Sequence, residues 1–295
     1  MMMLPWKLLR CCSLMGLAAL AFHNGTALAQ NPAAASMPAN GATPRIVILT
    51  TGGTIAGRSD ERSELGYNSA QLDPSQLIQS VPGINLLARV SSERIASIGS
   101  QDMSDSVWLA LAARITELFA QNAADGVVIT HGTDTMEETA FFLDLVLARG
   151  KPVVLVGAMR PSSAISADGP ANLYDAVKVA ASSSARDRGV LVVMNGSIHS
   201  ARDVEKTDTA ALETFRSPNF GPVGYVNAAA VRFSVPAPPP RAPLYSPGSA
   251  PLPRVDIIYA HADMDGAMID DAAQRGARGL VLAGVGGWQL LEVGH

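Results

Sequence analysis

The feature that most restricts the fold of this chain is a rhythm of short, unbroken apolar runs separated by segments with helical spacing. The runs are Ile46-Val47-Ile48-Leu49, Val127-Val128-Ile129, Pro152-Val153-Val154-Leu155-Val156 and Gly189-Val190-Leu191-Val192-Val193-Met194. Runs that are apolar at every position suit strands covered on both faces, as in a parallel sheet. Between them Asp73–Val81, Ser104–Ala120, Thr135–Ala148 and Ala171–Ala181 place apolar residues at helical intervals. A short strand is expected just before Ser100. The alternation predicts an α/β fold, with a large N-terminal domain at 44–232 whose mostly parallel sheet is flanked by helices. Its ligand site should lie at the carboxyl ends of the strands.

Phe233 to Arg254 then holds eight prolines in 22 residues. Neither a helix nor a central strand tolerates that density, so 233–254 reads as a linker. A strand at Val255–Tyr259, a helix at Asp270–Ala277 and a strand at Gly279–Ala283 open a smaller C-terminal α/β domain at 255–295. One such unit of about forty residues buries too little surface for an independent core, so this second domain is expected to be incomplete.

The first 29 residues read as a secretory signal peptide. Lys7 and Arg10 precede the apolar run Cys11–Phe22, and Ala27-Leu28-Ala29 supplies a small-x-small cleavage pattern. That run is far shorter than the roughly 20 apolar residues a membrane span needs. A flexible leader at 30–43, rich in Ala, Pro, Asn and Ser, follows. Cys11 and Cys12 are the chain's 2 cysteines, so the mature form is expected to have no disulfide and no thiolate nucleophile. The expected location is the periplasm.

Composition narrows the function classes. The chain is 48% hydrophobic, which excludes wholesale disorder. Its 22 Lys+Arg against 26 Asp+Glu give a net charge of -4, with no basic run of the kind a polyanion needs. A nucleic-acid partner is not expected. Nor is a membrane association after signal removal, or a metal, since His and Cys nowhere cluster at ligand spacing.

The strand ends carry the polar chemistry. After the first comes Thr50-Thr51-Gly52-Gly53-Thr54-Ile55-Ala56-Gly57, where glycines permit a sharp turn and close backbone approach while Thr54 projects a hydroxyl. A plain tight turn explains the same glycines; a nucleotide loop does not fit, because neither GxGxxG nor a P-loop Lys-Ser/Thr is present. The second strand ends in Thr130-His131-Gly132-Thr133-Asp134-Thr135-Met136-Glu137-Glu138. Here a helix cap at Thr133 or Asp134 with dipole-complementing glutamates competes with an active-site reading. In the latter, Thr133 is a hydroxyl nucleophile or relay and Asp134 a fixed carboxylate. His131 is expected to be structural, for no GxSxG elbow accompanies it. Ser100-Gln101-Asp102 forms a further polar loop. Lys206, one of the three lysines (Lys151, Lys178, Lys206) beyond the signal segment, sits in another, where a solvated lysine is the plainer alternative.

Taken together, TGGTIAG at 51–57, GSQDM at 99–103, HGTDTMEETAFFLDL at 131–145, VGAMRPSSAISADGPANLYDAV at 156–177 and GVLVVMNG followed by RDVEKT resemble the bacterial type II L-asparaginases, in matching order from about Arg45 to Gly287. The resemblance implies hydrolysis of L-asparagine to L-aspartate and ammonia without a cofactor. Position by position it implies that Thr54 attacks the side-chain amide and forms an acyl-enzyme, and that Tyr67 is the flexible-loop tyrosine. Thr133, Asp134 and Lys206 match the second hydroxyl–carboxylate–lysine group. Ser100 and Gln101 match the substrate-clamping pair, and Ala158 falls where a backbone carbonyl faces the substrate amide. The chemistry agrees with these roles: a zwitterionic substrate needs a carboxylate for its ammonium and donors for its carboxylate. A threonine hydroxyl also needs a positioned base or relay. Tyr67 and Lys206 are the two candidates; Lys206 acts as a base only where its ammonium is destabilised, and Asp134 nearby stabilises it. Backbone N–H groups of the two turns would hold the oxyanion. Weaker glutaminase activity is expected, since one methylene is worth only about 1–3 kcal/mol in a pocket. Members of the family form homotetramers in which a complete C-terminal domain finishes the neighbouring site. That domain is expected to be truncated here, since the resemblance stops after Ala283-Gly284-Val285-Gly286. The alternatives are a catalytically inactive remnant, a dual-specificity glutaminase-asparaginase, and an exported solute-binding protein.

Overall fold

The computed structural model describes residues 42–59, 67–68, 73–246 and 251–286. The signal-peptide expectation at 1–29, and all but the end of the leader, lie outside them. The main sheet is built from β1 (Arg45–Gly52), β2 (Arg89–Ile98), β3 (Gly126–Thr130), β4 (Val153–Val156), β5 (Val190–Met194), β6 (Ser197–Ser200), β7 (Gly224–Val226) and β8 (Val231–Phe233). Their spatial order is β8-β7-β6-β5-β4-β3-β1-β2. The five strands from β5 to β2 are mutually parallel; β6, β7 and β8 join antiparallel at the other edge.

Every residue of β3, β4 and β5 is buried, which requires cover on both faces and explains why these runs are apolar throughout. The helices are α1 (Pro74–Gln79), α2 (Ile84–Leu87), α3 (Asp105–Ala120), α4 (Met136–Val146) and α5 (Gly169–Ala181). α5 lies across β1, β3, β4 and β5 with α2 beside it, and α3 packs on α4. Ile46, Ile48, Leu49, Ile115, Ile129 and Leu155 are fully buried between these layers. Each contributes about 1.5–3 kcal/mol relative to exposure. At the amino end of the sheet the Arg45 backbone N–H and guanidinium both donate to the Asp125 carboxylate, tying the start of β1 to the start of β3. The guanidinium hydrogen bonds hold Asp125 down at about 2.

Three expectations need correction. The short strand before Ser100 is the ten-residue edge strand β2, whose sequence RVSSERIASI is too polar to read as a buried run; as an edge it pairs with β1 alone. The antiparallel β6–β8 were not anticipated, because they are three or four residues long and interrupted by Gly and Asn turns. Several helix limits also move. α4 stops at Val146 and α5 begins at Gly169, while the C-terminal helix α6 spans Ala267–Gln274 rather than 270–277. It starts earlier because Asp265 accepts from the Ala267 N–H, and it ends where Gly276 turns at φ 88°.

The proline-rich stretch after β8 lies along the C-terminal end of α4. Arg149 donates its N–H to the Arg241 carbonyl (3.0 Å) and Leu244 donates to the Leu145 carbonyl (2.8 Å). Beyond it β9 (Val255–Tyr259), α6 and β10 (Gly279–Ala283) form one parallel βαβ unit. Ile258 and Ala272 are its buried residues among those described.

Candidate active site

The carboxyl ends of β1, β2, β3 and β4 meet in one place. Gly53 turns the chain out of β1 at φ 81° and donates to the Ile98 carbonyl at the end of β2 (3.1 Å). A Cβ on Gly53 would stand 2.4 Å from both the N and the Cα of Gly132, so the two turns lie backbone against backbone. The single helical turn Thr54–Ala56 follows at once, with Thr54 5% exposed. Its exit is pinned by Ser162, whose N–H and hydroxyl both donate to the Gly57 carbonyl. The third turn closes the group. A Cβ on Gly157 would meet Thr133 Cγ2 and the His131 carbonyl, and one on Gly169 would meet Ile55 and Ala158.

His131 underlies the second turn. It is fully buried, its Nδ1 lies 2.6 Å from the Gly132 carbonyl, and its Nε2 lies 2.9 Å from Thr139 Oγ1. A carbonyl only accepts, so the hydrogen sits on Nδ1 and Nε2 accepts from the Thr139 hydroxyl. Thr139 in turn accepts from Trp108 Nε1 at 2.7 Å. Burial pushes the imidazole down to about 4. A neutral ring with both nitrogens committed is a brace for the turn, as the sequence suggested.

Above this brace Lys206 Nζ donates to Thr133 Oγ1 at 2.9 Å and to Asp134 Oδ1 at 2.5 Å. The lysine side chain is 13% exposed and the Asp134 side chain 53%, so the carboxylate keeps a face open to an incoming group. Lys206 arrives from the two-residue strand Glu205–Lys206, paired with Phe215–Arg216. Its own N–H donates to Glu137 at the start of α4 (2.5 Å). Ser100 begins a one-turn helix, Ser100–Asp102. Its hydroxyl accepts from the Asp134 N–H (3.1 Å) and its carbonyl accepts from Thr135 Oγ1 (2.8 Å). Gln101 is exposed beside it. Ala158 is buried in the turn after β4. Tyr67 lies in a two-residue strand, paired antiparallel with Ser59; its side chain lies outside the described set. Thus Thr54, Ser100, Gln101, Thr133, Asp134, Ala158 and Lys206 belong to one cluster of turns.

The capping alternative is only half met. α4 is capped at Thr135, one or two residues later than expected and without a side-chain cap bond, which leaves Thr133 and Asp134 to Lys206. Three further residues have roles that the sequence did not show. Glu137 suggested a dipole complement, whereas it holds the Lys206 backbone. Asp168 occupies the N-cap of α5 yet spends its carboxylate on the Met159 and Arg160 N–H groups. Buried Asn172 donates to Gly157 O (3.1 Å) and Asp168 Oδ2 (3.0 Å) and accepts from Asn195 N (3.0 Å), tying the turns after β4 and β5 together. An Asp before Gly-Pro at a helix start, followed one turn later by Asn, was the available signal.

A mostly parallel sheet whose strand-end turns assemble two hydroxyls, a carboxylate and a lysine defines an amidohydrolase-type scaffold of known kind. The asparaginase N-terminal family model matches residues 45–238. The chain is 48% identical over 248 residues to the "Probable L-asparaginase periplasmic" of Haemophilus influenzae, covering 82% of this chain and 70% of that protein. It is 42% identical over 247 residues to the "Glutaminase-asparaginase" of Pseudomonas fluorescens biotype A, covering 82% and 67%. Among solved structures, that of the probable cytoplasmic L-asparaginase of Campylobacter jejuni superimposes with a TM-score of 0.78 at 45% identity, covering 84% of this chain and 77% of that one. The chain belongs to the asparaginase family of amidohydrolases, and its sequence places it with the bacterial type II members.

Proposed function

We propose that this protein hydrolyses L-asparagine to L-aspartate and ammonia with Thr54 as nucleophile. Thr54 Oγ attacks the side-chain amide carbon, the hydroxyl proton passes to a relay, and the C–N bond breaks as the nitrogen takes a proton and leaves as ammonia. Water then cleaves the resulting ester, returning a proton to Thr54 Oγ. Tyr67 is the relay on the Thr54 side. Lys206, Thr133 and Asp134 form the second relay, with Lys206 Nζ, hydrogen-bonded to both partners, as proton carrier and electrostatic partner. Asp134 and the Gln101 carbonyl receive the substrate ammonium, Ser100 its carboxylate, and the Ala158 carbonyl faces the amide. Backbone N–H groups of the Gly-rich turn and the Thr133 turn stabilise the oxyanion.

The observation that carries this reading is Lys206 Nζ bonded to both Thr133 Oγ1 and Asp134 Oδ1, in a turn packed directly on the one that bears Thr54. Glutamine is one methylene longer, a difference worth about 1–3 kcal/mol, so slower glutaminase activity accompanies the main one. The name of the Pseudomonas relative is consistent with that. The mature protein works in the periplasm, as the residue pattern at 1–29 and the name of the Haemophilus relative suggest, and acts as a homo-oligomer. Its domains are 44–232 and 255–295, joined by 233–254.

Ammonia release from L-asparagine by the purified chain, with Thr54→Ala alongside, tests the proposal. Release by the parent and loss of at least a thousandfold in Thr54→Ala is expected. Release by Thr54→Ala close to the parent's would remove Thr54 as nucleophile, and reversible binding of intact asparagine without release would favour a solute-binding protein.

A further inference from the structure

At the amino end of β5, the opposite end of the sheet from the candidate active site, a cavity of about 210 Å³ opens beneath the proline-rich stretch. One water needs only about 10–15 Å³ of such space, so the cavity has ample room for a small hydrated ion. Three arginines line it: Arg149 after α4, Arg188 before β5 and Arg202 after β6. None of the three is ion-paired among the described residues. The one carboxylate in the lining, Asp144, is already committed. Its Oδ1 accepts from the Val190 N–H (3.1 Å) and its Oδ2 pairs with Arg241 (3.2 Å).

The arginines are held in place by neutral partners. Arg149 Nη1 donates to the Pro239 carbonyl (3.0 Å), and Arg188 donates to the Ser184 and Val235 carbonyls while stacking 3.7 Å from the centre of the Phe233 ring. Carbonyls orient the groups without cancelling their charge. Burial lowers the pKa of Arg188, but a guanidinium keeps its proton throughout the physiological range. In a chain of net charge -4 this concentration of positive charge is no product of a generally basic surface.

We propose that this cavity binds a small multivalent oxyanion, held by Arg149, Arg188 and Arg202. Planar forks of N–H donors suit phosphate and carboxylate oxygens alike. An occupant would also lock the Val235–Pro239 segment to β5 and β6, so binding is linked to stability. The proposal is independent of the catalytic assignment.

The test uses the full purified chain, with calorimetric titration and thermal unfolding in inorganic phosphate, in succinate, and in sodium chloride at matched ionic strength. A saturable rise in unfolding temperature with phosphate, beyond that in chloride, is expected, and a response to succinate alone would assign the site to dicarboxylates instead. Arg149→Gln and Arg202→Gln should each weaken the dissociation constant by about tenfold or more, the loss of a charge-assisted contact. Arg202 is exposed and its side chain makes no hydrogen bond among the described residues, so Arg202→Gln should keep the parent's fold and ammonia release. No response beyond chloride from either anion, or a response unchanged in both variants, would overturn the proposal.

Discussion

Replacing Gly53 with alanine should disable the site and weaken the fold together. At φ 81° and ψ -176° Gly53 sits in a region open essentially to glycine, where another residue costs about 1–3 kcal/mol. The added methyl would also stand 2.4 Å from Gly132 N and Cα and 2.8 Å from the His131 carbonyl carbon. All three are backbone atoms, with no rotamer to absorb the contact, and overpacking of this kind costs about another 1–3 kcal/mol. The total of about 2–6 kcal/mol is a large share of a typical stability of about 5–15 kcal/mol. The chain can relieve the clash only by separating the Thr54 turn from the Thr133 turn. A displacement of about 1 Å between reacting groups costs about a hundredfold in rate. Gly221→Ala is the control, for Gly221 also has positive φ (74°) but no atom within 4 Å of its Cβ position. Urea unfolding and ammonia release from L-asparagine would be measured for both. If Gly53→Ala were no less stable than Gly221→Ala and released ammonia within about twofold of the parent, the apposition of the two turns could not be what builds the site.

Three further outcomes follow from the same geometry. Lys206→Met should lower kcat by about 10²–10⁴, the range for a lost proton-transfer group, with little change in urea midpoint because half-exposed Asp134 remains solvated. An unchanged kcat would exclude Lys206 from the relay. Asn172→Asp would set a second carboxylate about 3.0 Å from Asp168 and lose the donor to Gly157; a drop of about 1–3 kcal/mol in stability and a fall in kcat are expected in urea and activity assays. His199 is buried and pushed down to about 4 by desolvation. The unfolded chain therefore binds its proton first, near the ordinary value of about 6.5. Stability should fall as pH drops from about 6.5 towards 4, and His199→Asn should flatten that slope in urea midpoints measured at pH 7 and pH 5. An equal slope in the variant would refute the burial argument.

What the sequence disclosed and what it withheld divide along a physical line. The parallel strands were legible because a strand buried on both faces must be apolar at every position, and β3, β4 and β5 are. The turns bearing Thr54 and Thr133 were legible because sharp exits from such strands call for glycine and polar residues in short local strings. The edge strand β2 and the antiparallel β6–β8 were not, since a strand with one neighbour or three residues leaves no period to read. The site divides in the same way. Residues that would face the substrate sit in those local strings, whereas the residues that hold them act across long separations. Glu137 reaches the Lys206 backbone over 69 residues, and Asn172 joins Gly157 to Asn195 from a helix whose pattern spells only core and cap. A supporting side chain has its meaning in a partner that no local window contains. Asp168 illustrates the cost of reading locally: it stands where a helix cap belongs, yet its carboxylate organises the turn around Ala158 instead. Removing that carboxylate should therefore disturb amide positioning more than helix stability. Asp168→Asn, which keeps an acceptor for one of the two N–H groups, should retain most of the fold while raising KM or lowering kcat. A loss of stability with kinetics unchanged would return Asp168 to the role of a cap.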